Sequence, residues 1–104
     1  MASGRWFTLS LADQLANAGA DVGRAIRAKA AGNDVRFTAA LDRSLKLLDL
    51  TMADPRWVGP RLREIARMRE VVADFLVGDN VYGSTPATLD GYFTAFALAS
   101  RRDR

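Results

Sequence analysis

The chain contains no cysteine and no histidine. Without cysteine there is no disulfide and no thiolate nucleophile or ligand, and without histidine there is no imidazole for acid–base or metal chemistry. We therefore expect no catalytic residues, no metal, no cofactor and no small-molecule substrate. The acidic residues do not change this expectation, because a Glu-x-x-His metal motif is impossible without histidine and several of the acids fall on predicted solvent-facing sides of helices: Asp13, Asp21, Asp42, Asp49 and Asp74.

Long apolar segments are also missing. No stretch of the chain approaches the roughly 20 apolar residues of a membrane-spanning helix. Residues 1–10 contain a single arginine and no extended apolar run, unlike a secretory signal peptide. We expect a cytoplasmic protein with no membrane partner.

Lysine is scarce as well, since 13 of the 15 basic residues are arginine and the formal net charge is +3. Arginine makes bidentate contacts with carboxylates and phosphates and stacks on aromatic rings, so its excess indicates an anionic partner. A GC-rich genome that encodes arginine in place of lysine explains the same excess. Both interpretations remain open at this point.

Apolar residues recur at three- and four-residue spacing along the whole chain, which predicts amphipathic helices at about residues 10–31, 34–52, 60–77 and 86–100. Ser10, Asn33 and Thr85 are suited to cap the first turns of helices, and Pro60 and Pro86 suit first helical positions. Residues 1–104 then form a single all-α domain. We predict an antiparallel four-helix bundle in which consecutive helices are neighbours.

The first predicted helix carries a seam of small residues beside its apolar stripe, which includes Ala12, Ala16, Gly19 and Gly23. A glycine inside a helix costs about 1 kcal/mol relative to alanine, so this seam indicates a close helix crossing, either within the monomer or between subunits. We expect a homo-oligomer with this seam, or the aromatic last helix, at the contact.

A basic cluster surrounds the proline-containing loop and the start of the third predicted helix, and consists of Arg56, Trp57, Arg61, Arg63 and Arg67. Cations at a helix N-terminus oppose the helix dipole and call for nearby acids or a bound anion. Arginine beside an aromatic ring is also the combination that binds single-stranded nucleic acid. We predict a site for nucleic acid or another anionic partner at these five residues. The structural alternative is that Trp57 closes one end of the bundle while the arginines pair with Asp54 and Glu64.

Several stretches resemble a family of short prokaryotic all-α proteins: LSLADQLAN at 9–17, LDLTMADPRW at 48–57, RLREIAR at 61–67, YGST at 82–85 and YFTAFA at 92–97. The resemblance covers nearly the whole chain and implies no particular activity. In shape, the predicted protein is similar to the small basic helical bundles that assist reverse transcriptases in diversity-generating retroelements. Those bundles form ring-like oligomers and contact nucleic acid and the polymerase.

From that likeness we expect a non-catalytic nucleic-acid-binding accessory protein, partnered by nucleic acid or by a nucleic-acid-handling protein such as a reverse transcriptase. No functional residue is carried over from it, because the likeness is one of architecture and a fold does not determine a function. The alternative is an oligomeric protein–protein interaction adaptor with no nucleic-acid role.

Overall fold

Regular structure in this protein is helical throughout the part that a computed structural model describes, which is residues 3–102, with side chains for residues 4–99. The helices are α1 (Ser3–Trp6), α2 (Leu11–Ala30), α3 (Asp34–Met52), α4 (Pro60–Leu76) and α5 (Pro86–Arg102). The all-α prediction is confirmed. None of the helices within residues 3–102 combines the length and the apolar character needed to cross a membrane.

The helix α1 was not predicted. It is a single turn, too short for a three- and four-residue apolar period to appear in the sequence. Its position depends on Trp6, whose side chain is completely buried. Residues 3–102 therefore contain five helices rather than the four expected.

The predicted caps form at the helix ends. The Ser10 hydroxyl accepts a hydrogen bond from the Asp13 amide at 3.1 Å, and the Asn33 side chain accepts one from the Arg36 amide at 3.1 Å. Pro60 stands in the first turn of α4, where its missing N–H leaves no hydrogen bond unmade. The sharp turn after α2 needs a positive φ of 70° at Gly32, a conformation that glycine adopts without steric cost.

The hydrophobic core is centred on α2, which lies against α3 on one side and α5 on the other. Its predicted apolar stripe is buried except for the half-buried Ile26. The residues that share this core are fully or almost fully buried: Leu15, Ala18, Val22, Ala25, Ala40, Leu48, Ile65, Met68, Val72, Leu76 and Leu89. Burial of a large aliphatic side chain contributes about 1.5–3 kcal/mol, so this cluster supplies most of the driving force for folding.

Helix α5 has α2 as its closest helical neighbour rather than α4, which corrects the expectation that every helix lies beside the next one in the chain. The small-residue seam explains the difference. A Cβ atom added at Gly19 would lie only 3.2 Å from the ring of Phe93, so glycine is what lets α5 approach α2 this closely. The loop of residues 77–85 is long enough to carry the chain from the end of α4 to this position.

Candidate functional site

The loop between α3 and α4 folds back on itself through the carboxylate of Asp54. This carboxylate accepts hydrogen bonds from the backbone amide of Arg56 at 3.0 Å and from the Nη2 of the same residue at 2.7 Å. The Trp57 amide donates to the Asp54 carbonyl at 3.1 Å. Pro55 fixes one backbone dihedral of this turn. The loop thus brings the first two residues of the predicted basic cluster directly against a buried acid.

A buried polar network connects this loop to α1 and α2 through Gln14, whose side chain is completely buried. The Gln14 Nε2 donates to the Trp6 carbonyl at 3.0 Å and to Asp54 Oδ2 at 2.9 Å. The Gln14 Oε1 accepts from the Trp57 indole at 2.8 Å. The amide therefore uses both of its donor hydrogens and its acceptor inside the protein, and a fully satisfied buried amide holds its neighbours in a single arrangement.

The same network holds α1 in place. The Trp6 indole Nε1 donates to the Thr51 hydroxyl at 3.1 Å, and that hydroxyl donates in turn to the Leu47 carbonyl one turn earlier in α3. Sequence reasoning missed this network, because nothing in the spacing of Trp6, Gln14, Thr51 and Asp54 shows that they meet. The one available signal is that Gln14 falls among the core positions of α2.

The Arg56 guanidinium forms its main contacts within the protein itself. Besides its bonds to Asp54, it donates to the Leu9 carbonyl, and it lies 4.5 Å from the centre of the Trp57 ring. Burial works against the Asp54 charge, but the hydrogen bonds from Arg56 and Gln14 outweigh it and lower the pKa of Asp54 below its ordinary value. The hydrogen bond to Asp54 raises the pKa of Arg56. The two charges neutralise each other, as the structural alternative for this cluster requires.

The remaining members of the predicted cluster divide between two sides of α4. The Arg61 guanidinium lies 5.8 Å from the centre of the Trp57 ring. Arg63 and Arg67 are exposed, and at about 100° per residue they lie within about 40° of each other and more than 100° away from Arg61. The structure thus does not bring the five predicted residues together. It forms a Trp57 group with Arg56 and Arg61, and a separate Arg63–Arg67 edge.

Two tyrosines that the sequence did not single out complete the Arg63–Arg67 edge. The Arg67 guanidinium lies 5.4 Å from the centre of the Tyr82 ring, and the Tyr82 hydroxyl donates to Glu70 at 3.2 Å. Tyr92 is half-buried, and this burial, together with the nearby charge of Glu64, raises the pKa of its phenol despite the opposing effect of Arg67. A tyrosine next to a Gly-Ser turn was the available signal for Tyr82, whereas Tyr92 was visible only as part of the aromatic last helix.

Outside the predicted cluster, three of the six arginines whose side chains are described are paired with acids. Asp21 is only 6% exposed and accepts from Arg24 at 2.8 Å and from Arg43 at 3.3 Å, which corrects the prediction that Asp21 faces solvent. The prediction was wrong because α3 covers that side of α2. On the far side of α3, Asp49 pairs with Arg69 of α4. These pairs reduce the positive charge that is available to a partner.

The four residues of the predicted oligomer seam also have different environments. Ala12 is only 1% exposed and is therefore buried within the chain, and Gly19 faces Phe93 at the contact between α2 and α5. Ala16 and Gly23 line an open groove of about 660 Å³ between α2 and α5. The groove is also lined by Gly19 and, from α5, by Leu89 and Phe93.

Comparison of the chain with models of protein families, with curated proteins and with solved structures finds no match. The resemblance to short prokaryotic all-α proteins, and the likeness to the retroelement accessory bundles, therefore stay predictions. The function has to be argued from the geometry alone.

Proposed function

We propose that the chain is a non-catalytic interaction module of the cytoplasm that assembles with copies of itself through the face formed by α2 and α5. The observation that carries the proposal is the groove between these helices, which is lined mainly by small and apolar residues. Small side chains allow the backbone of another helix to approach closely, as Gly19 already allows Phe93 to do within the chain.

The outer side of α5 favours a second copy as the occupant of this groove. Asp90 is the only charged residue between Pro86 and Ala99, whereas a helix that faces water usually carries charges along its outer side. Leu98, which also lines the groove, is 50% exposed in the single chain. A contact between identical faces covers the groove and α5 of both chains at once.

Charge complementarity supports the same occupant. The groove has Arg27 on its α2 side, with the guanidinium close to Gly23, and Asp90 on its α5 side. A two-fold contact is reciprocal: if a residue of one chain contacts a second residue on the partner, the same two residues also form the contact with the chains exchanged. We expect the Arg27 of one chain to face the Asp90 of its partner.

The test is the oligomeric state of the full chain by sedimentation equilibrium and light scattering. We expect Ala20→Glu, which places a charge in the groove, to shift the protein toward monomer. The matched control is Ala39→Glu, at an exposed position of α3 outside the groove, which should leave the assembly unchanged. A wild-type chain that is monomeric at about 100 μM, or equal behaviour of the two variants, would contradict the proposal.

We also propose that the four long helices form an antiparallel bundle. The support comes from the order of contacts between α2 and α3: Gln14 bonds to Asp54 just beyond the end of α3, Asp21 bonds to Arg43, and Lys29 lies over the ring of Phe37. Residues with increasing numbers along α2 thus contact residues with decreasing numbers along α3. Nuclear Overhauser contacts that follow the opposite order would overturn this arrangement.

A second candidate function is that of a nucleic-acid-binding accessory protein, for example one that works beside a reverse transcriptase. Two arginine–aromatic pairs of α4 favour it, namely Arg61 with Trp57 and Arg67 with Tyr82. Such pairs combine a phosphate contact with a stacking surface for a base. This function is the second candidate because several arginines are already paired with acids, which leaves less positive charge for phosphate: Arg24, Arg43, Arg56 and Arg69.

Salt dependence tests this second function. Binding of a single-stranded oligonucleotide should fall by about 0.7 log unit in affinity per log unit of salt for each phosphate contacted. With Arg63 and Arg67 as the exposed contacts, we expect a total slope of roughly 1–2. No binding at low salt and high micromolar protein would eliminate this function while leaving the oligomer proposal intact.

A further inference from the structure

A second, smaller cavity of about 270 Å³ lies between α4, the loop of residues 77–85 and the start of α5. Its floor is apolar, because Val71 and Leu89 are 6% and 1% exposed. Tyr82 and Tyr92 contribute aromatic rings to its walls, and Arg67 also lines it. Ser84 and Thr88 add hydroxyl groups. A small concave space that combines aromatic and aliphatic side chains with hydroxyl groups and one cation is suited to a small ligand that carries both a ring and a negative charge.

The loop that carries Tyr82 is held in place independently of any ligand. The Asp74 carboxylate accepts hydrogen bonds from the backbone amides of Val81 at 2.8 Å and of Tyr82 at 3.0 Å. The Asn80 side chain bonds to both the amide and the carbonyl of Ser84, at 2.8 and 2.9 Å. Asn80 has a φ of 53°, a left-handed conformation that a non-glycine residue adopts only at a cost. The pocket is therefore largely preformed, which reduces the entropy lost on binding.

Some of the polar groups at the pocket are used by the fold, since the Thr88 hydroxyl donates to the Thr85 carbonyl at 3.0 Å and accepts from the Thr85 amide at 2.8 Å, but others are not. Among the described residues, no acid lies within ion-pair distance of Arg67, in contrast to Arg24, Arg43, Arg56 and Arg69. Within the same residues, the hydroxyl of Tyr92 has no hydrogen-bond partner. Tyr82 is 46% exposed although its hydroxyl is bonded to Glu70 and the Arg67 guanidinium lies over its ring. The Arg67 cation, the Tyr92 phenol and the exposed part of Tyr82 thus remain available to a ligand.

We infer that this pocket binds one nucleotide unit, with the base against Tyr82 and Tyr92 and the phosphate on Arg67. The volume is slightly below the roughly 300–1,000 Å³ of pockets for drug-sized ligands, which suits one base but not two. Stacking on an aromatic side chain accepts any base, so we expect weak discrimination among bases. This inference goes beyond the oligomer proposal and specifies the contact point for the nucleic-acid function.

The nucleotide has two possible sources, a free mononucleotide or an unpaired position of a single strand, and two probes distinguish them. The first is a titration of the ¹⁵N-labelled full chain with a nucleoside monophosphate, with inorganic phosphate as the comparison, read as shifts of the Tyr82, Ser84 and Tyr92 amide signals. The second is fluorescence polarisation of a labelled single-stranded oligonucleotide. Binding of both probes indicates a pocket open to either source, and binding of the oligonucleotide alone indicates a single strand.

Variants show whether the pocket is responsible. Tyr82→Ala should weaken binding about 5- to 150-fold, the range for loss of one base stack. Tyr82→Phe keeps the ring and should bind nearly as well as the wild type, which separates lost stacking from a misfolded loop. Arg67→Gln should weaken binding of both probes, whereas Arg36→Gln, an equal charge change on α3 outside the pocket, should not. Glu64→Gln removes a negative charge that acts on Tyr92 and should strengthen binding of an anionic ligand.

The outcomes separate this inference from the general nucleic-acid function. Pocket shifts with the monophosphate, lost in Tyr82→Ala and Arg67→Gln only, support the site even if oligonucleotides do not bind. Oligonucleotide binding that Arg67→Gln and Arg36→Gln reduce equally, or that Tyr82→Ala leaves intact, overturns the pocket but keeps the second function. No shift at the pocket with about 10 mM monophosphate, together with no oligonucleotide binding, overturns both.

Discussion

Replacing Asp54 with asparagine tests the polar network more directly than any other single change. The Asp54 side chain is 1% exposed, and it accepts hydrogen bonds from Gln14 and from both the backbone and the guanidinium of Arg56. Asparagine preserves the size of the side chain but removes its charge, and it replaces one acceptor oxygen with an NH₂ donor. That donor then faces either the Gln14 amide or the Arg56 guanidinium, both of which can only donate at this position.

The expected cost follows from the burial of the pair. Breaking a fully buried ion pair by removing one partner costs about 3–5 kcal/mol. The Arg56 side chain is 40% exposed and recovers some hydration, so we expect Asp54→Asn to lower the free energy of unfolding by about 2–4 kcal/mol. For a domain of this size that corresponds to a decrease of roughly 10–25 °C in Tm.

Urea unfolding followed by circular dichroism and tryptophan fluorescence measures this loss. Asp49→Asn is the matched control, because Asp49 pairs with Arg69 in the same way but its side chain is 55% exposed, and exposed pairs contribute only about 0–1 kcal/mol. If the two variants lose equal free energy of unfolding, within about 0.5 kcal/mol, the buried polar network does not stabilise the loop between α3 and α4.

Three further outcomes are expected. Trp6→Phe removes the bond to Thr51 and leaves a cavity, so it should cost about 1–3 kcal/mol in urea unfolding, and a smaller loss would mean that α1 does not anchor the loop. Gly19→Val should lower the free energy of unfolding by about 1–3 kcal/mol, because the new side chain would clash with Phe93. The control is Gly91→Ala, whose added methyl group meets no atom within 4 Å and should stabilise α5 by about 1 kcal/mol. A stabilising effect of Gly19→Val would refute the close crossing. Because the folded-state pKa of Asp54 lies below its unfolded value of about 3.9, its contribution is present above about pH 4 and disappears at lower pH, so the stability difference from Asp54→Asn should shrink on acidification. A difference that is constant from about pH 7 to pH 2 would contradict this assignment of charge.

The amino-acid sequence by itself determined the four long helices and, to within about two residues, their ends. The apolar spacing, the caps at Ser10 and Asn33 and the proline at residue 60 are local features, and each acts within a few residues of its own position. The core positions of α2 followed for the same reason, since one face of a helix can be identified from its period alone.

The tertiary structure alone decided which polar residues meet. Gln14 and Asp54 are separated by 40 positions, and Arg67 and Tyr82 come from different elements, so no local spacing relates either pair. The sequence could group Arg56, Arg61, Arg63 and Arg67 by proximity along the chain, but only the folded loops place Arg56 and Arg61 against Trp57 and place Arg67 against Tyr82. Helix formation depends on neighbours in sequence, whereas the pairing of a charged side chain and the lining of a pocket depend on neighbours in space. Those neighbours exist only after α2, α3, α4 and α5 have packed.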